Sequence, residues 1–275
     1  MVATFGRRIQ GFREIEILVG DGRRFLVDPR ERQYLMDLLP NNVHEHAESR
    51  VVEACLEPGA VAVDIGANFG WFATLFSKLV GPSGAVHAFE PVSTTRIALQ
   101  RNLDANACSN VRVHPCALSD ESGRATLRIA PNRPHGDASI YSGSETGVDF
   151  ECEVDTLDRR LLGELRRCDF LKCDVEGAET RTLRGARRTL EQFRPLVLVE
   201  VNSAALARAG TTASELLGEI SALGGYTFQV VEEPGVLRRI DPATLPTSPR
   251  GYWNVLCVPQ RSAAEHRLAA RVDFI

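Results

Sequence analysis

The chain has 275 residues, of which 44% are apolar and 25% are charged, a composition typical of a soluble globular protein. Its 32 basic and 36 acidic residues give a net charge of −4, which argues against the basic surface of a general nucleic-acid binder. No apolar run approaches the ~20 residues that span a bilayer. From the apolar runs we expect no membrane partner, and from the charge no nucleic-acid partner.

The cysteines and the N-terminus indicate the compartment. The seven cysteines form no C-x-x-C pair, and their odd number argues against a closed disulfide framework. Several lie in apolar segments, as expected of buried free thiols in a reducing compartment. The first residues, MVATFGRRIQGFREI, lack the apolar core of a signal peptide. These features predict a cytoplasmic protein.

Residues 1–44 are assigned to an N-terminal extension of the main domain. Within it, residues 13–28 alternate apolar and polar side chains around Gly20-Asp21-Gly22, which predicts a β-hairpin. Residues 45–56 then predict a helix that ends before Pro58-Gly59. The hairpin, or the C-terminal tail at 260–275, is a candidate surface for a homodimer.

The remainder of the chain alternates strands with helices. Apolar runs of strand length, separated by amphipathic stretches, occur at 61–66, 84–91, 111–118, 169–175 and 196–201. Two further pairs of strands, each without a helix between its members, are predicted at 124–130 with 149–155 and at 226–231 with 252–259. The pattern predicts an α/β fold with a doubly wound, mostly parallel sheet of seven strands and an antiparallel last strand.

We assign residues 45–259 to this domain and expect the tail at 260–275 to form a helix or to fray. Ligands of doubly wound sheets bind beyond the carboxyl ends of the strands. The residues that end each strand are therefore the candidates for a functional site.

The stretch VAVDIGANFGWF joins the first strand of this domain to a helix through two glycines, Gly66 and Gly70. Glycine lacks the Cβ atom that would keep a ligand away from the backbone. Glu90 ends the next strand, where a carboxylate accepts the two ribose hydroxyls of an adenosine. A tight turn alone would also suit an ordinary strand-to-helix connection, but the added acid favours a nucleoside ligand.

Two nucleoside ligands are compatible with this turn, a dinucleotide and S-adenosylmethionine. A dinucleotide turn needs glycine where this chain has Asn68, and Asp64 would repel a pyrophosphate. The ammonium of a methionine moiety would instead pair with that acid. The spacing D-x-G-x-N-x-G therefore favours S-adenosylmethionine, with an NAD-dependent oxidoreductase as the alternative.

Six segments resemble those of the FkbM-type methyltransferases in order and spacing: VDIGANFGWF, VHAFEP, ALSDESG, VDTLD, LKCDVEGAE and LVLVEV. LKCDVEGAE is similar to the most specific signature of that family, K-x-D-V-E-G-A-E. The resemblance runs from about Glu45 to Pro259 and implies a class I methyltransferase fold. It also implies S-adenosylmethionine as methyl donor, and O-methylation of a natural product, a sugar or a related small-molecule or glycan acceptor.

The resemblance further implies which residues contact the cofactor. The acid that often holds adenine after the third strand is replaced here by Ala117, so Ser119, Asp120 or backbone groups must take its place. The expected cofactor-binding residues are Glu45, Asp64, Gly66, Ala67, Asn68, Gly70, Glu90, Pro91, Ala117, Ser119 and Asp174.

Transfer to an alcohol needs a group that activates the hydroxyl, because an aliphatic hydroxyl is a poor nucleophile. Asp174, which ends the fourth strand of the domain, is the first candidate for the base. Glu176 is open between that role and stabilising a helix N-terminus. His135 is a weaker candidate, in a loop at 131–148 that is long enough to act as a lid over the acceptor.

A metal ion is an alternative to a base. Asp174, Glu200 and Asn202 end neighbouring strands and offer oxygen ligands, in a layout that resembles the divalent metal site of catechol-type O-methyltransferases. A bound Mg²⁺ would lower the pKa of the acceptor hydroxyl, so that no strong base would be needed. Lys172 either pairs with Asp174 or faces a helix.

A non-enzymatic alternative is a catalytically inactive methyltransferase fold that serves as a partner protein. The intact set of acids argues against it, because a site without catalytic use need not keep them. The sequence does not name the acceptor.

Overall fold

The structure, a computed structural model, describes residues 5–9, 12–29, 32–41, 43–129, 147–245 and 251–271. His135 and most of the loop predicted to act as a lid lie outside these residues. Among the described residues, no helix combines the length and the apolar character that a membrane span requires.

The N-terminal segment forms a three-stranded antiparallel sheet and two helices: β1 (Phe5–Ile9), β2 (Phe12–Leu18), β3 (Arg24–Val27), α1 (Arg32–Asn41) and α2 (His46–Cys55). The predicted hairpin is present as β2 and β3, and the predicted helix as α2. The sequence pattern did not indicate β1 or α1.

The rest of the described chain contains eleven strands and eight helices, which give the doubly wound arrangement. In chain order they are β4 (Val61–Ile65), α3 (Trp71–Val80), β5 (Ala85–Phe89), α4 (Ser93–Ala105), β6 (Val111–His114), β7 (Cys116–Leu118), β8 (Gly123–Ile129), β9 (Val148–Asp155), α5 (Leu157–Leu161), β10 (Phe170–Cys173), α6 (Glu179–Gly185), α7 (Arg187–Phe193), β11 (Leu196–Asn202), α8 (Ser203–Arg208), α9 (Ala213–Ser221), β12 (Tyr226–Glu232), β13 (Val236–Ile240), β14 (Tyr252–Pro259) and α10 (Ala263–Arg271).

The central sheet has the strand order β13-β12-β14-β11-β10-β4-β5-β6. Strands β11, β10, β4, β5 and β6 are mutually parallel, and β14 lies antiparallel between β11 and β12. The mostly parallel sheet with an antiparallel last strand is therefore confirmed. The sheet has an eighth strand, β13, at its edge, where Arg238 and Arg239 give its sequence the polar character of a loop.

The prediction of a single strand at 111–118 is wrong. It divides at Pro115 into β6, at the edge of the central sheet, and β7, which joins β8 and β9 in a separate sheet. Proline has no N–H to donate to a sheet ladder, so it suits a point where a strand leaves its sheet. The hairpin predicted from residues 124–130 and 149–155 is confirmed as the antiparallel pair β8 and β9.

Apolar side chains cover both faces of the central sheet. Phe25 of the N-terminal sheet and Phe76 of α3 belong to the cluster on one face. Leu183 of α6 and Leu216 of α9 belong to the cluster on the other face. With both faces buried, polar residues concentrate at the carboxyl ends of β4, β5, β10 and β11, and the candidate site lies there.

Candidate functional site

The turn between β4 and α3 is built against the end of β10. Gly66 has φ of +82°, and the N–H groups of Gly66 and Ala67 donate to the carbonyl oxygen of Phe89 at 3.1 and 3.0 Å. A Cβ atom on Gly66 would lie 1.8 Å from the carbonyl oxygen of Asp174. Only glycine fits this position, and its presence brings the turn into contact with the strand that carries Asp174.

Asn68 and Glu90 join this turn to the end of β5. The N–H of Asn68 donates to Oε2 of Glu90 at 3.0 Å, and the N–H of Val92 donates to Oε1 at 2.8 Å. Glu90 is 5% exposed, and burial raises its pKa to about 7. Each carboxylate oxygen keeps a further lone pair, so Glu90 is still able to accept hydrogen bonds from a ligand.

Asp64 is a buried carboxylate that lacks an adequate partner. It is 1% exposed, and neither of its oxygens makes a well-formed hydrogen bond to a described group, the N–H of Ala73 interacting only weakly. Burial raises its pKa to about 7, against the opposing effect of the Lys172 charge. A buried carboxylate is costly until a donor or cation reaches it, so this position fits the ammonium group of a ligand.

Lys172 neutralises part of the acidic charge around Asp64. Its Nζ donates to Oδ2 of Asp174 at 2.9 Å, and the side chain is buried with the ammonium 4.7 Å from the ring centre of Phe72. Burial alone would lower the pKa of Lys172, but the carboxylates of Asp174, Glu45 and Asp64 together raise it above its usual value. The ammonium therefore stays charged and holds Asp174 in place.

Asp174, Glu176 and Glu200 form an acidic cluster beside this ion pair. One carboxylate oxygen from each lies within 4.8 Å of the other two. Oε2 of Glu200 is buried without a hydrogen-bond partner among the described residues, and burial followed by the charge of Asp174 raises the pKa of Glu200 well above its usual value. The cluster therefore favours a proton or a cation between its members.

Asn202, expected to be the third metal ligand, has a contact of its own in the structure. Its Oδ1 accepts a hydrogen bond from the N–H of Ala205 at 3.1 Å and so caps the N-terminus of α8. Asparagine is among the best N-cap residues, which explains this use of its side chain. Glu176 is the carboxylate that joins Asp174 and Glu200 in the cluster, and the metal role of Asn202 stays a prediction.

A buried glutamate shapes the loop that presents Glu176. Glu176 and Gly177 have φ of +54° and +108°, and the carboxylate of Glu179 accepts hydrogen bonds from the N–H groups of Val175 and Gly177 at 2.9–3.1 Å. Burial raises the pKa of Glu179 to about 7. Glu179, the first residue of α6, therefore fixes the loop that precedes this helix.

The other predicted cofactor residues lie around the same turn or on β7. Glu45 is the N-cap residue of α2, with Oε1 3.3 Å from Nε2 of His44. The carbonyl oxygen of Pro91 accepts a hydrogen bond from Arg96. Ala117 lies on β7, and the hydroxyl of Ser119, just after it, donates to Asp120 at 3.0 Å. These contacts assign no ligand to Ala117 or Ser119, whose cofactor role stays a prediction.

The chain is similar to a known protein family and to several known proteins. Residues 64–228 match the family model of the methyltransferase FkbM domain. The chain is 37% identical over 145 residues to Methyltransferase 1 of Beauveria bassiana, an alignment that covers 45% of this chain and 57% of that protein. It therefore spans less than two thirds of that relative.

Two more similarities are informative. The chain is 31% identical over 208 residues to the 31-O-demethyl-FK506 methyltransferase FkbM of Streptomyces tacrolimicus, covering 65% of this chain and 76% of that one. A solved structure from Clostridium thermocellum, described as a candidate rRNA methylase, has a TM-score of 0.50 at 8% identity and covers 80% of this chain and 99% of that chain. The second similarity concerns the fold alone.

Proposed function

This chain belongs to the FkbM methyltransferase family, and we propose on that premise that it transfers a methyl group from S-adenosylmethionine to a hydroxyl oxygen of a small natural product or sugar. The Streptomyces relative, whose name states methylation at an oxygen, supports the choice of oxygen. We further propose that the protein acts in the cytoplasm, which its seven free cysteines support.

The observation that carries the proposal is the buried carboxylate of Asp64. It lies on β4 just before the glycine turn and has no adequate partner among the described residues, so the ammonium of S-adenosylmethionine would pair with it. Glu90, at the end of the next strand, has lone pairs left for the ribose hydroxyls. The pyrophosphate of NAD would instead meet the negative charge of Asp64 and the side chain of Asn68, so these residues favour S-adenosylmethionine.

Asp174 is the residue that we propose as base. S-adenosylmethionine supplies a methyl group that is already activated on a sulfonium, so the protein must position the acceptor and remove its proton. The hydrogen bond from Lys172 occupies Oδ2 of Asp174, which leaves Oδ1 to accept the proton of the acceptor hydroxyl. Glu176 stays open as an alternative base, because its carboxylate lies in the same cluster.

Transfer itself provides the test of the proposed function. The protein is incubated with S-adenosylmethionine carrying an isotopic methyl label and with a panel of hydroxylated natural products and sugars. Mass spectrometry should detect the label in a product, and NMR should locate the new methyl group on oxygen. Label found only on nitrogen would contradict the O-methyltransferase assignment.

Metal removal distinguishes the two ways to activate the hydroxyl. Asp174, Glu176 and Glu200 offer oxygen ligands that suit a divalent cation such as Mg²⁺, and the unpartnered oxygen of Glu200 is compatible with one. If Asp174 acts as a direct base, EDTA should leave turnover unchanged, whereas a metal-dependent reaction should stop and then recover when Mg²⁺ is added. Turnover measured with and without EDTA decides between them, and loss of turnover that Mg²⁺ restores would reject the direct base.

Replacing Glu90 with alanine should weaken methyl-donor binding. The change removes an acceptor for the ribose hydroxyls and also the partner of the Asn68 and Val92 N–H groups. Hydrogen bonds to a charged group contribute about 1.5–3 kcal/mol, so the dissociation constant of S-adenosylhomocysteine should rise at least about tenfold. Calorimetric titration measures it, with Glu164→Ala, a surface glutamate paired to Arg112, as the matched control. Unchanged affinity in folded Glu90→Ala would show that the ribose is held elsewhere.

Methyl-donor binding should also strengthen as the pH rises from about 5.5 to about 7. Burial raises the pKa of Asp64 to about 7, so this carboxyl is mostly protonated at the lower pH, while the ammonium of the ligand stays charged throughout. Only ionised Asp64 pairs with that ammonium, so the affinity is present above the pKa and is lost as the pH falls through it. We expect a gain of roughly fifteenfold for S-adenosylhomocysteine, because the ionised fraction of a carboxyl with a pKa of about 7 rises from about 3% at pH 5.5 to about one half at pH 7.

The control for this pH dependence is Asp64→Asn, which cannot ionise. Titration calorimetry at both pH values should show weaker binding by this variant and a much flatter pH dependence. An equally steep dependence in the variant would assign the titration to another group, such as Glu90, whose pKa burial also raises to about 7.

A further inference from the structure

The turn between β4 and α3 has a contact with the N-terminal segment that lies outside the match to the family model. The hydroxyl of Tyr34, on α1, donates to Oδ1 of Asn68 at 2.8 Å. We propose that Tyr34 is a positioning residue of the methyl-donor site, which acts by fixing the side chain of Asn68. The inference rests on the proposed function, because it gives Tyr34 a part in binding the methyl donor.

The hydroxyl of Tyr34 is held in a defined position. The side chain is 5% exposed, and its ring packs on that of Phe69 with the ring centres 4.2 Å apart and an interplanar angle of 32°. The ring of His44 lies 5.8 Å away, nearly perpendicular to it. These contacts fix the direction of the hydroxyl toward Asn68, so the hydrogen bond does not depend on a mobile side chain.

The Asn68 carboxamide connects this hydroxyl to the backbone of the turn. Its Oδ1 accepts from Tyr34 and also from the N–H of Phe69 at 2.7 Å, which uses both of its lone pairs. Asn68 has φ of +51°, a conformation that asparagine adopts more readily than most residues because its side chain bonds locally. Rotation of the carboxamide would therefore break both hydrogen bonds and release the backbone from this conformation.

The backbone of Asn68 in turn orients Glu90, because its N–H donates to Oε2 at 3.0 Å. The tyrosine, the asparagine and the glutamate thus form a continuous series of hydrogen bonds from α1 to the residue that we expect to hold the ribose. Loss of the first bond allows the turn more conformations, of which fewer present Glu90 correctly. The structural effect should appear as weaker methyl-donor binding.

The N-terminal sheet, which precedes Tyr34 in the chain, is held in place by contacts with α4 and α3. The N–H of Leu26 donates to Oδ1 of Asn102 on α4 at 2.8 Å. The ring of Phe25 stacks on that of Trp71 on α3, with the centres 4.9 Å apart. The sheet that precedes α1 is therefore fixed to the two helices that flank the glycine turn. Helix α1 follows this sheet and carries Tyr34, which contacts the turn.

Tyr34→Phe tests the inference, because it removes the hydroxyl and keeps the packing of the ring. Tyr226→Phe is the matched control. Tyr226 lies on β12, away from the turn, and is also buried, and its hydroxyl donates a hydrogen bond to the carbonyl oxygen of Pro195 at 3.1 Å. One net hydrogen bond corresponds to a factor of about three to ten in affinity. Calorimetric titration should therefore show S-adenosylhomocysteine binding weakened about fivefold by Tyr34→Phe and unchanged by Tyr226→Phe, with similar melting temperatures for both variants.

A double-mutant cycle then shows whether Tyr34 acts through Asn68. Asn68→Gly removes the carboxamide and keeps a residue that adopts positive φ without strain. In that background Tyr34→Phe should have no further effect on affinity, whereas an undiminished fivefold loss would overturn the route through Asn68.

The outcomes separate the inference from the proposed function. Binding unchanged in Tyr34→Phe, or weakened equally in Tyr226→Phe, would overturn the inference while leaving the proposed function intact. No binding of S-adenosylhomocysteine by the unsubstituted protein would overturn the proposed function and the inference with it.

Discussion

Gly66→Ala is expected to prevent the protein from folding or to leave it severely destabilised. The added Cβ atom would lie 1.8 Å from the carbonyl oxygen of Asp174, so either the turn or the end of β10 has to move. The turn directly follows β4 and Asp174 directly follows β10, a strand that is buried along its whole length. We expect a loss of more than about 4 kcal/mol in the free energy of unfolding, against a total of about 5–15 kcal/mol for a typical domain.

The matched control for this substitution is Gly59→Ala. Gly59 has φ of +83°, almost that of Gly66, but its Cβ atom would meet nothing closer than Oγ of Ser83 at 3.6 Å. The control therefore shows only the cost of a left-handed alanine, about 1–2 kcal/mol. Urea denaturation measures both variants, and equal losses would show that the turn tolerates a side chain and that the contact with Asp174 is not a constraint.

Asp174→Asn is expected to reduce methyl transfer by at least about a hundredfold. General base catalysis contributes about 10²- to 10⁴-fold, and asparagine cannot accept the proton of the acceptor hydroxyl. Asparagine keeps an oxygen that accepts the hydrogen bond of Lys172, so the fold should survive and S-adenosylhomocysteine should bind with a much smaller change. Initial rates at saturating methyl donor, together with calorimetric titration, separate these two effects.

Asp158→Asn is the control for the loss of a partly buried carboxylate. Asp158 accepts hydrogen bonds from the N–H groups of Arg188 and Thr189 at the start of α7, far along the chain from the glycine turn. Its replacement should lower stability and leave the turnover number unchanged. If Asp174→Asn also keeps normal turnover, Asp174 is not the base, and Glu176 becomes the first candidate.

The positions of Asp64, Gly66, Glu90 and Asp174 were predictable because each follows from a rule of doubly wound sheets. Parallel strands end at one edge, and residues that end neighbouring strands meet there. The D-x-G-x-N-x-G spacing and the acid at the end of the next strand were sufficient to place the first three, and the end of the fourth strand placed Asp174. Their hydrogen bonds were not predictable, since Glu90 and Asn68 are joined through a backbone N–H that no pattern reports.

Sequence reasoning missed the hydrogen-bond partners that individual side chains choose and the contacts between residues far apart in the chain. The side chain of Asn202 caps α8, because the first N–H groups of a helix have no partner within it. The carboxylate of Glu179 accepts a hydrogen bond from the preceding loop, a contact that no sequence pattern reports. Tyr34 lies 34 positions before Asn68, in a segment with no clear periodicity, so only the folded structure connects them.

The most direct measurement of the central claim is calorimetric titration of the unsubstituted protein with S-adenosylhomocysteine and, separately, with NAD. The claim is that the glycine turn, with Asp64 and Glu90, holds an S-adenosylmethionine-type ligand. It predicts saturable one-to-one binding of S-adenosylhomocysteine, weakened by Asp64→Asn, and no binding of NAD. Binding of NAD without binding of S-adenosylhomocysteine would contradict it.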